Sequence, residues 1–195
     1  MRTTRLEAFS DAVIAIIMTI MVLELKVPAG TSIASLTPVV PIFASYALSF
    51  VNLAIYWNNH HHMMQVADHV DGAIMWANMH LLFWLSLIPF ATGWMGKDQF
   101  SSTPTAIYGF VLLMSAVAYY LLQRAIIIRH GPESLLAKAV GKDSKGKLSP
   151  VLYLIAIPVA YVLPLISGAL YVVVAIMWMI PDRRIEEILP EEESV

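Results

Sequence analysis

The feature that most limits what this 195-residue chain can become is the spacing of its charges. No Asp, Glu, Lys or Arg occurs in 27–67, 72–96, 99–123 or 148–181. Each interval can hold at least one bilayer-crossing helix, which needs about 20 mostly apolar residues. Composition agrees, at 58% hydrophobic and 13% charged, and places the chain among membrane proteins. A net charge of -2 excludes a strongly basic nucleic-acid binder. The absence of cysteine removes disulfides, thiolate metal sites and thiol catalysis.

The spans follow in order. A first helix is expected at about 5–26, ended by Pro28 and Gly30. Its apolar run and Val27-Pro28-Ala29 resemble a cleaved secretory signal, but Asp11 interrupts the run and Glu24 and Lys26 crowd the cleavage site, so it is read as a retained span. A second helix covers about 38–62, with Pro38 and Pro41 in its first turn. A third covers about 73–95, kinked by Pro89. A fourth starts from the capping pattern Ser101-Ser102-Thr103-Pro104 and runs to about 128. The polar segment 129–149 reads as a solvent-facing connection, and the segment 186–195 as an acidic tail. The apolar block 148–181 would make one helix of about 51 Å, well beyond a hydrocarbon core of roughly 30 Å. Pro158, Pro164 and Gly168 point instead to a hairpin with arms at about 149–164 and 167–180.

Positive charge decides between five spans and six. With six spans and both termini cytoplasmic, the inner segments hold Arg2, Arg5, Arg124, Arg129, Lys138, Lys142, Lys145, Lys147, Arg183 and Arg184, leaving only Lys26 and Lys97 outside. Ten against two is a strong positive-inside bias, whereas five spans would put Arg183 and Arg184 on the wrong side. The expected fold is all-α, a single six-helix transmembrane domain over 1–195.

Chemistry-bearing clusters are sparse. His60-His61-His62 makes a poor metal site, because adjacent helical residues point about 100° apart. Asn52, Asn58, Asn78 and His80 suit interhelical hydrogen bonds. No motif for nucleophilic catalysis, phosphate cradling or a cofactor is present, so no enzyme and no cofactor are expected. A carbonyl filter of the Thr-Val-Gly-Tyr-Gly type is also missing.

The first helix carries the sharper signal. It opens with Arg5, Glu7, Ser10 and Asp11, and an ionisable residue at a span's centre costs roughly 2.5–3.5 kcal/mol on insertion scales. Ala12, Ile16, Thr19, Ile20 and Leu23 fall within roughly 100° of arc, with Asp11 about 140° from Ile16. Apolar residues cover every face of this helix, so periodicity alone leaves two readings of the stripe, a helix contact or a pore lining. Glu24, about 80° from Ile16, either enriches cations at an outer mouth or pairs with Lys26.

Arg5-Leu6-Glu7-Ala8-Phe9-Ser10-Asp11 reproduces an R-x-x-x-F-S-D signature. Together with AVIAIIMTIMVLEL after it, Tyr56-Trp57, His60-His61, Asn78 and Pro89-Phe90, it resembles the transmembrane protein 175 family of potassium channels. One six-helix repeat is similar to the prokaryotic members, where the animal proteins carry two. The resemblance implies a homotetramer in a prokaryotic cell membrane, each chain partnered by three identical subunits and the lipid bilayer. Four copies of the first helix would surround a passive K+ pathway open to monovalent cations. Carried onto this sequence, Ile16, Ile20 and Leu23 form the apolar constriction, with Thr19 as the polar lining residue. Arg5, Phe9, Ser10 and Asp11 would join the helices, with Trp57, His60, Asn78 and His80 as partners. An alternative from the intramembrane Arg5, Asp11 and His80 is a proton-coupled secondary transporter, although no inverted repeat is evident.

Overall fold

The computed structural model describes residues 3–67, 69–140 and 144–179 of the chain. Helices dominate, and no strand occurs among the described residues. Helix α1 (Thr3–Ile20) passes into a 3₁₀ turn, Met21–Glu24, and the chain then leaves the helical path at the extended Leu25. Another 3₁₀ stretch, Ile33–Val39, leads into α2 (Val40–Gln65). The expected α-helical start at Pro38 is displaced by two residues. Pro38 and Pro41 lack the N–H groups that α-type bonding to Ala34 and Thr37 would need, so the regular ladder begins only after Val39.

The third apolar segment is two helices, α3 (Gly72–Ser86) and α4 (Ile88–Lys97), meeting at Leu87. Pro89 lies in the first turn of α4, and it offers no N–H to the carbonyl of Leu85, which explains a break rather than a gentle bend. Asp71 caps α3 by accepting from the backbone N–H of Ile74 at 2.9 Å. Helix α5 (Ser102–His130) starts after Ser101, whose side chain makes no capping bond; the backbone bond from Thr105 N–H to the Ser101 carbonyl (3.1 Å) and Pro104 in the first turn define that end. It stops at Gly131, whose φ of 88° is a left-handed value that suits glycine.

The stretch expected to be a solvent-facing connection contains α6 (Leu135–Val140) and the first residues of α7 (Ser144–Val159). Leu136 is buried against the bundle, and that contact secures a short helix in an otherwise polar segment. Residues 160–163 turn the chain into α8 (Pro164–Met179), so the last apolar block is a hairpin. The acidic tail and Arg2, Lys142, Arg183 and Arg184 lie outside the described residues.

Among the described residues, four segments are long and apolar enough to cross a membrane: Thr3–Glu24, Ile33–Gln65, Gly72–Lys97 and Ser102–His130. Helix α8 is apolar but shorter, its 16 residues reaching about 24 Å. Helix α5 runs through the middle, packed against α3 and α4 on one side and α7 and α8 on the other. Helices α2 and α4 lie side by side, and α1 sits at the edge against α2, α3 and α4. The core brings together Ile14 and Ile17, Leu53, Leu81 and Leu85, Leu112 and Leu122, and Tyr171. Small residues set the closest approaches: Gly96 meets the backbone of α2 at Ile42, and Gly109 leaves room for the Tyr171 phenol.

Candidate functional site

The periodicity of α1 sorts its residues onto two faces. Leu6, Ser10, Ile14, Ile17 and Met21 recur every three or four positions and are buried by neighbouring helices. On the opposite side Arg5, Phe9, Ala12, Ile16, Thr19, Ile20 and Leu23 are turned outward in the single subunit. Ile16 is 59% exposed and Leu23 77%. The stripe is therefore not a packing seam within its own subunit. Thr19 donates its hydroxyl to the carbonyl of Ile16 at 2.9 Å, so its oxygen keeps acceptor capacity toward the open side.

Between those faces runs a ladder of polar contacts. Thr3, Glu7 and Asp11 are spaced four apart and lie on one side of α1. Thr3 donates to the Ala67 carbonyl (2.7 Å), Glu7 Oε1 meets His61 Nδ1 (2.9 Å), and Asp11 Oδ1 accepts from Trp57 Nε1 (3.0 Å). Trp57 and His61, also four apart, stack with ring centroids at 5.9 Å and planes 17° apart. Since a carboxylate can only accept, His61 carries a proton on Nδ1, and its Nε2 accepts from Gln65 at 3.0 Å. This ladder fixes α1 and α2 antiparallel in one register.

A second, fully buried set joins α1, α2 and α3. Ser10 donates to the Leu6 carbonyl (2.8 Å) and accepts from Asn78 Nδ2 (2.9 Å). The Asn78 carbonyl takes the remaining bond, from His60 Nε2 at 2.8 Å. Asn78 thereby satisfies one neighbour with each end of its amide. His60 Nδ1 is left buried without a partner among the described residues, as is Nδ1 of His62.

The structure thus brings Ser10, Asp11, Trp57, His60 and Asn78 together. It does not bring in His80, which accepts from Trp84 Nε1 on its own helix at 2.9 Å. Arg5 and Phe9 face outward with the stripe, and Arg5 has no ion-pair partner among the described residues. Glu24 lies against Gly93 of α4 and makes no ion pair with Lys26 among the described residues. The three consecutive histidines diverge, and no cluster of three potential metal ligands occurs among the described residues. Glu7, His61 and Thr3 are missing from the interhelical network that the resemblance implies. The matching i, i+4 spacing of Thr3, Glu7 and Asp11 with that of Trp57 and His61 was the available signal.

The profile of the family described as endosomal/lysosomal potassium channel TMEM175 matches residues 5–89, which takes in α1, α2, α3 and the start of α4. A potassium channel of Chryseobacterium sp. (strain P1-3) is 51% identical over 187 residues, covering 96% of this chain and 97% of that protein. A potassium channel of Chamaesiphon minutus (strain ATCC 27169 / PCC 6605) is 26% identical over 189 residues, covering 89% and 92%. Among solved structures, the crystal structure of a lysosomal potassium-selective channel TMEM175 homolog from Chamaesiphon minutus superposes with a TM-score of 0.79 at 27% identity. That match covers 92% of this chain and 97% of the other.

Proposed function

This chain belongs to the TMEM175 family of potassium channels, and from that premise we propose that it forms a passive K+ pathway as a homotetramer in the cell membrane of a prokaryote. One observation carries the reading. The face of α1 bearing Ile16, Thr19, Ile20 and Leu23 is left uncovered by its own subunit, while the opposite face is buried and held to α3 by the Ser10–Asn78 bond, with Glu7–His61 and Asp11–Trp57 tying the helix to α2 at its flank. A helix held so firmly on one side and bare on the other is suited to line a shared axis. Four copies would place rings of Ile16, Ile20 and Leu23 around it.

Apolar rings stop ions by denying them water, so conduction requires the constriction to widen or wet. Selection then depends on partial dehydration. K+ sheds water more readily than Na+, and the Thr19 oxygen, still able to accept, would offset part of that loss. Without an acidic ring at the narrow region, K+ selectivity is expected to be modest.

The same reading takes six spans with both termini cytoplasmic. The Lys and Arg asymmetry supports it, as does the hairpin of α7 and α8 packed along α5. Arg5 and Phe9, outward on α1, would meet an adjacent subunit.

K+ efflux from liposomes reconstituted with the protein tests the proposal. Fast efflux down the K+ gradient is expected once charge is compensated, with no dependence on a proton gradient. K+ movement that strictly required a proton gradient would instead establish the transporter reading.

A further inference from the structure

On the face of α2 turned away from α1, a partly open cavity of about 590 Å³, its mouth included, lies among α2, α5, α7 and α8. The walls are aromatic and amide in character, with Tyr56, Tyr153 and Trp178 arranged around Gln123 and Asn52. Several lining polar side chains are already bonded: Trp178 Nε1 donates to Ser149 Oγ at 2.8 Å, Asn52 Nδ2 to the Leu48 carbonyl at 3.0 Å, Asn59 Nδ2 to the Ile55 carbonyl at 2.8 Å and the Tyr119 hydroxyl to the Asn59 carbonyl at 3.3 Å.

Gln123 is different. Its side chain is 7% exposed and, among the described residues, has no hydrogen-bond partner. The phenols of Tyr56 and Tyr153, on two other walls, also lack one among the described residues. None of these three groups is sealed from solvent, so each can bond a molecule that enters, and a glutamine can make four hydrogen bonds. Three unpartnered polar groups on three different helices therefore converge on one space. Among the described residues no charged side chain lines it, so an ion entering would lose its hydration with no counter-charge in return.

We propose that this cavity binds an uncharged amphiphile, with a hydroxyl or amide head meeting Gln123, Tyr56 and Tyr153 and an aliphatic or aromatic body against the aromatic wall. Ser149, near the start of α7, and Gln123, toward the end of α5, place it at the end of the bundle where Arg124, Lys145 and Lys147 cluster. Such a position is accessible both to a lipid and to a molecule from the aqueous side. The site is independent of the pore-lining reading, because it lies on the other face of α2 from Trp57 and His61.

Thermal unfolding of the full chain in lipid nanodiscs tests binding directly. Monoolein supplies a hydroxyl head on an acyl chain, benzamide an amide head without one, and oleate a charged head on the same chain. A saturable rise in unfolding temperature is expected with monoolein or benzamide, and the probe that responds identifies a membrane or an aqueous source. Gln123→Leu should weaken apparent affinity roughly tenfold, the equivalent of about 1.4 kcal/mol. Ala116→Phe, which fills the cavity from α5, should abolish the rise. If either variant fails to fold, the other retains the comparison. No saturable rise with either uncharged probe would overturn the proposal and leave the cavity to water. An equal rise in wild type and variants, or an equal response to oleate, would overturn it as well.

Discussion

At the scale of single residues, the clearest dependence falls on Asn78. Its amide bonds Ser10 on α1 and His60 on α2 from a position with no solvent access. Asn78→Leu keeps the approximate volume but strands the His60 Nε2–H in the core, so a loss of about 1–3 kcal/mol is expected. A lower unfolding temperature in detergent, with helix content unchanged, would be the sign of it. The stripe is tested by function rather than stability: Ile16→Asn should raise K+ leak in the liposome assay, and Leu23→Ala should weaken discrimination against Na+. Val22 lies about 110° around the helix from the centre of the stripe, and Val22→Asn should change neither. Equal effects at all three positions would rule out a pore-lining face. That Ser10, Asp11 and Asn78 needed partners was legible in the sequence, since polar groups in apolar spans cannot be left bare. Which partners they take was not. His80 has the same chemistry as His60 but meets Trp84, and only the rotation of α3 separates the two cases.

At the scale of helices, two close approaches depend on residues without a side chain. Gly109 on α5 faces the hydroxyl of Tyr171, which donates to the Thr105 carbonyl at 3.0 Å and accepts from Ser167 Oγ at 2.9 Å. Gly109→Val would push the phenol off both bonds, and a loss of about 1–3 kcal/mol is expected from such overpacking. Gly72→Ala is the matched control, because a β-carbon there meets nothing within 4 Å. Thermal melts of the two variants should differ, and equal melts would show that the α5 to α8 contact is soft. The same scale shows what a linear pattern misses. The break at Leu87 has a local cause in Pro89 and was anticipated as a kink. Helix α6 has its cause in a distant contact, the burial of Leu136, and a segment rich in Lys and Gly carries no local sign of that.

At the scale of the whole molecule, the open face of α1 makes a single subunit incomplete for the proposed role. Native mass spectrometry of the detergent-solubilised protein is expected to give four times the subunit mass. A stable monomer would sink the shared-axis reading, since one copy of α1 cannot enclose a path for ions. The end of the bundle holding Arg124 and Arg129 is the one expected to face the cytoplasm. A cysteine introduced at Lys145 should therefore react with a membrane-impermeant thiol reagent only after inverted vesicles or permeabilised cells expose that side. Labelling of intact cells would reverse the topology.

The sequence by itself determined the helical, membrane-embedded character of the chain, because long intervals without charge leave the backbone no partner in lipid except its own turn. It also marked the head of α1 as special, through costly polar groups that demand partners. Only the tertiary structure decided which face of α1 those partners occupy. Glu7 pairs with His61 and Asp11 with Trp57 because α1 and α2 are antiparallel in one register, and register between helices is set by the packing of whole faces rather than by the order of residues along either one. With that register in place, Ile16, Ile20 and Leu23 are left turned away from their own subunit.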